Sequence, residues 1–383
     1  MSSLSRLLYR TFSTSLPSTP QPKPLASKSL STDLYRERNL KRLVQKFKKS
    51  SELDRFRTKT GVYEDIVRRL ASAKRFRWIE EILEDQKKYK DISKEGFAVR
   101  LISLYGKSGM FDHAHKVFDE MPDLKCDRTV LSFNALLGAC VNSKKFDRID
   151  EFFRELPDKL SIEPDRVSHN VVIKAFCEMG SFESAISMLD EMEKKGLEPD
   201  LITFNTLFNG LYGNSRFSDG EKIWDLMEKK NIVPDIRSYN AKLLGLALEN
   251  RMPEAVKLLE EMGSKGVKPD VFSFNTLIKG FCNEGNLEEA KQWYIELGKS
   301  DCAPNKVTFA MLVPFVCEKG DFNLAFELCK EIFNQRCLVD AALLQLVVDR
   351  LVKASKVEEA EKLVELGNSN GYSRYGLKLP SDK

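Results

Sequence analysis

An asparagine that follows Ser or Thr and then an aromatic residue (a histidine in one copy) returns along this 383-residue chain every 35 residues, each time just after Pro-Asp. The phrase reads Pro199-Asp200-Leu201-Ile202-Thr203-Phe204-Asn205, then Pro234-Asp235-Ile236-Arg237-Ser238-Tyr239-Asn240, then Pro269-Asp270-Val271-Phe272-Ser273-Phe274-Asn275. Pro164-Asp165-Arg166-Val167-Ser168-His169-Asn170 keeps the same register. Asparagine carries a donor and an acceptor on one planar amide, so it can face the hydrogen-bonding edge of a nucleobase. A period of this size marks a solenoid. Each unit then offers the same outward polar position to one long ligand.

No competing chemistry is written in the chain. It has no His-x-Glu with Pro-Cys-x-x-Cys, no clustered Asp set for a metallonuclease and no Gly-rich phosphate loop, so no catalytic residues are assigned. His113 and His115 flank Ala114 on a helical pattern, and His169 takes the aromatic position of its unit; all three read as packing or surface residues. The eight cysteines include no Cys-x-x-Cys pair and sit mostly among apolar residues, which reads as packed, reduced thiols rather than zinc ligands or a disulfide framework. No cofactor, metal or small-molecule substrate is implied. The net charge of +4 imposes no global basic field. No apolar run approaches the roughly 18 residues of a membrane span.

The elements that must position the asparagines are helices in pairs. From 60 to 375 the chain phases into nine units starting at Thr60, Glu95, Val130, Arg166, Leu201, Ile236, Val271, Lys306 and Ala341, with one extra residue in the third. Asn275-Thr-Leu-Ile-Lys-Gly-Phe-Cys has the three-to-four apolar spacing of a first helix. Gly285 breaks it and Asn286 opens a second helix as its cap; the same break falls at Gly109, Gly180 and Gly320. Second helices end in Lys195-Gly196 and Lys265-Gly266, with Pro three residues on. Ala114, Ala185, Ala255, Ala290, Ala325 and Ala360 share the twentieth position, where a small side chain lets two helices approach. Four residues on, Phe118, Leu189, Trp224 and Leu259 fill the space between units.

These features together resemble the pentatricopeptide repeat (PPR) family of the pure 35-residue type. The resemblance implies an all-α fold, a right-handed α-solenoid superhelix of stacked helix-turn-helix repeats that binds single-stranded RNA at one base per repeat. It also implies that the fifth and last residues of a unit read the base. Those pairs are Asn134 with Asp165, Asn170 with Asp200, Asn205 with Asp235 and Asn240 with Asp270, which by resemblance prefer uracil, and Asn275 with Asn305, a general pyrimidine reader. An Asp beside the Asn would accept from its amide nitrogen and fix which way the amide points. Three residues before the fifth position stand Leu131, Val167, Ile202, Phe272 and Val307, with Arg237 as the exception; in the family this residue flanks the base. A second reading of the same residues stays open, in which Asn and Asp only cap helices.

Departures from the family pattern limit the reading to five units. Glu64 with Lys94, Val99 with Thr129, Ala310 with Asp340 and Gln345 with Tyr375 match no base-reading pair. The phosphate-contacting Lys of the thirteenth position occurs at Lys107, whereas Glu178, Leu248, Asn283 and Glu318 stand there elsewhere. A sparse phosphate track costs affinity.

The first 32 residues contain no Asp or Glu and hold Arg6, Arg10, Lys23 and Lys28 among many Ser and Thr, which is the composition of an organellar transit peptide. The expected partition is a mitochondrial transit peptide and disordered linker over 1–33, a basic helix over 34–59, the array over 60–375 and a short tail over 376–383. Mitochondrial matrix is favoured over chloroplast. Between Arg36 and Arg77 stand fifteen Lys or Arg against five Asp or Glu. Lys41, Arg42, Lys46, Lys48 and Lys49 lie between apolar residues at helical spacing, as a phosphate-binding patch or a solvated cap of the array. Gly96 to Ile102 and Phe111 to Phe118 resemble small PPR proteins attached to the small subunit of plant mitochondrial ribosomes. The expected function is RNA binding, to mRNA or rRNA, as a component or partner of that subunit acting in translation. The alternatives are a transcript-specific processing or stability factor and a protein-binding assembly scaffold.

Overall fold

The computed structural model describes residues 27–373 and 375–380, so most of the expected transit peptide, residues 1–26, lies outside the described residues. Among the described residues the chain is helical throughout, with 21 α-helices, two 3-10 turns and no strand. It divides into two compact units, one ending at Arg128 and one beginning at Thr129.

The first unit holds α1 (Ser27–Arg36), α2 (Leu40–Ser51), α3 (Asp54–Arg57), α4 (Thr60–Ser72), α5 (Phe76–Glu84), α6 (Glu95–Lys107) and α7 (Phe111–Glu120). The stretch expected as one basic helix is thus three helices, and the first of them starts inside the segment expected as a disordered linker, with Leu34 buried. The break has a local cause: Asn39 in extended backbone caps α2 by accepting from Arg42 N at 3.0 Å, while its own N–H donates to the Glu37 carboxylate at 3.0 Å. The apolar face of α2 buries Leu43, Val44 and Phe47, and Phe47 meets Tyr63 of α4 edge-to-face at 4.8 Å. Burying one such side chain stabilises by about 1.5–3 kcal/mol, so α2 is packed onto the first repeat rather than solvated all round.

The second unit alternates first and second helices. They are α8 (Val130–Asn142), α9 (Asp147–Leu160), α10 (Arg166–Met179), α11 (Phe182–Lys194), α12 (Leu201–Gly213), α13 (Phe217–Lys229) and α14 (Ile236–Leu248). There follow α15 (Met252–Ser264), α16 (Val271–Asn283), α17 (Leu287–Lys299), α18 (Lys306–Glu318), α19 (Phe322–Asn334), α20 (Ala341–Lys353) and α21 (Val357–Ser369). The nine residues at which the phasing starts its units are the first residues of α4, α6, α8, α10, α12, α14, α16, α18 and α20. From α8 to α20 each first helix packs directly on the next, whereas among second helices only α19 and α21 are so closely joined. The more tightly spaced layer of a curved stack is its inner one, which places the first helices there.

Two turns per repeat reverse the chain. The fifteenth residue of all nine units has positive φ: Gly109, Gly180, Gly285 and Gly320, but also Lys74, Lys144, Ser215, Asn250 and Ser355. The six alanines of the twentieth position are fully buried. The fifth unit carries Gly220 there instead, because a Cβ would run into the ring of Tyr212.

A candidate nucleic-acid interface built at the repeat junctions

Each junction starts from a helix that needs a cap. Asp165, Asp200, Asp235, Asp270 and Asn305 take extended backbone just before α10, α12, α14, α16 and α18 and accept from the backbone N–H three residues on, at 2.9–3.1 Å. The fully buried Ser168, Thr203, Ser238, Ser273 and Thr308 return the bond by accepting from the cap's own N–H, closing capping boxes.

The cap also holds the asparagine of its own unit. Asn134, Asn205 and Asn240 donate from Nδ2 to Oδ1 of Asp165, Asp235 and Asp270 at 3.0, 3.1 and 3.1 Å; Asn275 reaches Asn305 Oδ1 at 3.5 Å. On the other side of each amide a hydroxyl donates to its Oδ1: Ser168 to Asn134 at 2.6 Å, Ser238 to Asn205 at 2.7 Å, Ser273 to Asn240 at 2.6 Å and Thr308 to Asn275 at 2.8 Å. Oxygen toward hydroxyl and nitrogen toward the cap is a fixed orientation. One amide N–H and one oxygen lone pair remain unspent. Capping and orienting are therefore not alternatives, since one Asp oxygen does both. The asparagines themselves lie inside the first helices and cap nothing. Asn170 is the exception: no bond joins it to Asp200.

Burial pushes the Asp165 and Asp235 carboxyls up, but the backbone N–H groups of Ser168 and Ser238 and the amides of Asn134 and Asn205 outweigh it and hold both below the usual carboxylate range. Asp200 is lowered against the same burial by the Thr203 N–H and by Arg166.

Beside the amides stands a row of apolar side chains left in solvent. Leu131, Val167, Ile202, Phe272 and Val307 occupy the second position of α8, α10, α12, α16 and α18, and Ile202 is 62% exposed. Phe272, Asn275, Asn305, Val307 and Met311 are among the residues that line one cleft of 390 Å³. An aromatic or aliphatic flank beside a fixed amide suits a planar base.

The cations differ from the sequence expectation. Lys107 is ion-paired with Glu64 at 2.9 Å. On α2, Lys46 pairs with Glu37 at 2.9 Å, Arg42 lies 3.9 Å from the same carboxylate, and Lys48 pairs with Glu81 at 2.6 Å. Lys41 and Lys49 are exposed and make no ion pair among the described residues. Three of the four units without a base-reading pair spend that position on other contacts. Glu64 holds Lys107, Asp340 holds Lys306 at 3.0 Å, and Gln345 holds both the N–H and the C=O of Lys378 in the tail. What the sequence did not reveal is the Ser/Thr hydroxyl that bridges to the preceding unit; the capping-box spacing after each Asp was its signal.

The eight cysteines are unpaired thiols, and burial pushes Cys140 and Cys177 up to about 12. No group of His, Cys, Asp and Glu among the described residues could hold a metal, and no described helix is long and apolar enough to cross a membrane.

Helical hairpins in series, with an oriented amide at four of the five legible junctions, define a helical-repeat protein. Models described as PPR repeat family match residues 164–213, 234–283 and 269–315, PPR repeat matches 100–126 and 202–232, and pentatricopeptide repeat domain matches 117–179. The chain belongs to the pentatricopeptide repeat family. It is 56% identical over 210 residues to the Arabidopsis thaliana small ribosomal subunit protein mS78 (rPPR3a), covering 51% of this chain and 53% of that protein. To the small ribosomal subunit protein mS79 (rPPR3b) of the same plant it is 53% identical over 213 residues, covering 51% and 52%. An Arabidopsis pentatricopeptide repeat-containing protein named as mitochondrial, At2g18520, is 44% identical over 131 residues, covering 34% and 31%. The chain thus spans about half the length of the two ribosomal relatives it matches.

Proposed function

We propose that this protein binds single-stranded RNA in mitochondria as a component or partner of the small ribosomal subunit, acting in translation and without catalysis. The observation that carries the reading is the repeated carboxylate–amide–hydroxyl set at Asn134, Asn205 and Asn240, each beside the second-position residue of its first helix. The set prepays the orientation of the amide, so a base meets a preformed donor and acceptor. By the family's reading these units take uracil and the Asn275–Asn305 unit takes either pyrimidine, giving a short uridine-rich footprint at one base per repeat. Leu131, Val167, Ile202, Phe272 and Val307 flank the bases. Lys41, Arg42, Lys46, Lys48, Lys49 and Lys107 are the candidate phosphate contacts. The residues before α1 serve as the transit peptide. Kinship to two small ribosomal subunit proteins and to a protein named as mitochondrial supports the compartment and the partner.

Two measurements test this. In detergent-lysed mitochondria the protein should sediment with the small subunit and crosslink to RNA there; free sedimentation with a single crosslinked transcript would instead point to a transcript-specific factor. Replacing Asn205→Thr together with Asp235→Asn should move preference at one base from uracil toward adenine. The Asn side chain still caps α14, as Asn305 caps α18, so the fold is retained. Unchanged preference in a folded double variant would leave the scaffold reading in its place.

A further inference from the structure

Four units carry Asn at the fifth position and Asp at the last, yet only three join them. Asn134, Asn205 and Asn240 donate to their aspartates, whereas Asn170 makes no bond to Asp200 and its Oδ1 is a buried acceptor without a partner among the described residues. Thr203 in place of serine is not the cause, because Thr308 in the same role reaches Asn275 at 2.8 Å. Nor is the cap lost, since Asp200 Oδ1 still accepts from Thr203 N at 3.0 Å. Besides His169 in the aromatic place, what differs is the unit's first residue. Val130, Leu201 and Ile236 are apolar there, but the fourth unit begins with Arg166, whose Nη1 donates to Asp200 Oδ2 at 3.1 Å. The eighth unit repeats the pattern: Lys306, again first, holds Asp340, again last, at 3.0 Å. A cation at the first position therefore captures the carboxylate at the last.

We propose that Arg166 is a specificity-determining residue: by holding Asp200 away from Asn170, it makes the fourth unit a permissive pyrimidine site among uracil-selective ones. The inference rests on the RNA-reading role above. A pinned amide shows one fixed N–H and one fixed lone pair. An unpinned amide can turn over, so it meets the donor–acceptor order of uracil or that of cytosine alike. The Arg166–Asp200 pair is partly exposed and screened by salt, a modest hold. The ion pair engages Oδ2, whereas the sister asparagines use Oδ1, so Arg166 acts by turning the carboxylate about its cap bond rather than by taking the asparagine's place.

The test compares the intact protein with Arg166→Leu, which copies the fifth unit's Leu201, and Arg166→Lys, which keeps the cation. The first readout needs no RNA. In side-chain amide NMR spectra, the Asn170 amide protons should exchange fast in the wild type and in Arg166→Lys, and slow to the level of Asn205 in Arg166→Leu. The second uses short oligouridines with one uridine at a time changed to cytidine. Beyond the pyrimidine-permissive Asn275–Asn305 unit, wild type should show one tolerant position, and Arg166→Leu should raise discrimination there to about tenfold, as for an oriented pair. An Asn170 amide that does not change in Arg166→Leu overturns the proposal. So does an amide that slows while the tolerant position stays tolerant. If the wild type shows no position-dependent preference anywhere, the RNA-reading role fails; any effect of Arg166 on the amide is then only conformational, and its role in specificity falls too.

Discussion

One carboxylate oxygen at each of three junctions caps a helix and aims the amide of its own unit, and a buried hydroxyl on the next helix completes the set. Ser238 is the clearest case: fully buried, it donates to Asn205 Oδ1 at 2.7 Å and accepts from Asp235 N at 3.2 Å. Ser238→Ala leaves both groups short of a partner in a site with little water, so unfolding free energy should fall by about 1–3 kcal/mol. The denaturation midpoint checks that, and base discrimination at the Asn205 unit should weaken with it. Ser238→Thr should be tolerated, since Thr203 and Thr308 hold the same place in sister units. The asparagines and aspartates were legible in the sequence because they recur in register. The hydroxyl was printed in the same phrase, but its bond spans 33 residues, and only stacking brings the two ends together. Arg166 was read past for the same reason, because its effect depends on a residue 34 positions later.

At the scale of helices, every hairpin turns on one left-handed residue. The sequence exposed this where the residue is Gly and hid it at Lys74, Lys144, Ser215, Asn250 and Ser355, whose conformation is imposed by the packing of the two helices they join. Ser215 has φ 57° and Ser355 φ 59°. Relieving the Cβ clash of that conformation outweighs the extra freedom Gly gives the unfolded chain, so Ser215→Gly and Ser355→Gly should each stabilise by up to about 1 kcal/mol. Gly320 has φ 79° and nothing within 4 Å of an added Cβ, so Gly320→Ala tests the backbone term alone and should cost about 1 kcal/mol or more. Thermal midpoints of the three variants measure both signs. Helix starts were legible throughout 60–375 because cap, aromatic and Ala recur together. The segment before it misled, since its apolar spacing runs on through Asn39, where the cap of α2 interrupts the helix.

At the scale of the molecule, the oriented amides and the basic helix fall in different compact units. The unit from Thr129 onward holds every Asn–Asp set, and the unit ending at Arg128 holds the basic helix. Positioning and base reading should therefore separate experimentally. Within the basic helix the cations are not equivalent. Lys46 and Lys48 are matched by carboxylates and Arg42 lies near one, whereas Lys41 and Lys49 are exposed and make no ion pair among the described residues. A phosphate reaching Lys41 or Lys49 releases a counterion at full effect, while one reaching Lys46 must first displace Glu37. The variant Lys41→Ala, Lys49→Ala should thus lower the slope of log affinity against log salt by as much as about 1.4 for a single-stranded ligand, two contacts at about 0.7 each. It should weaken uridine-rich and adenosine-containing RNAs by the same factor, because phosphate contacts carry no base information. Neutralising Lys46 and Lys48 should move the slope less, since each removes a cation already balanced. Titrations at two salt concentrations on both RNAs decide it. An unchanged slope with RNA binding and ribosome association intact would make α2 only the packed end of the array, and its ring contact of Phe47 on Tyr63 would then be its whole purpose.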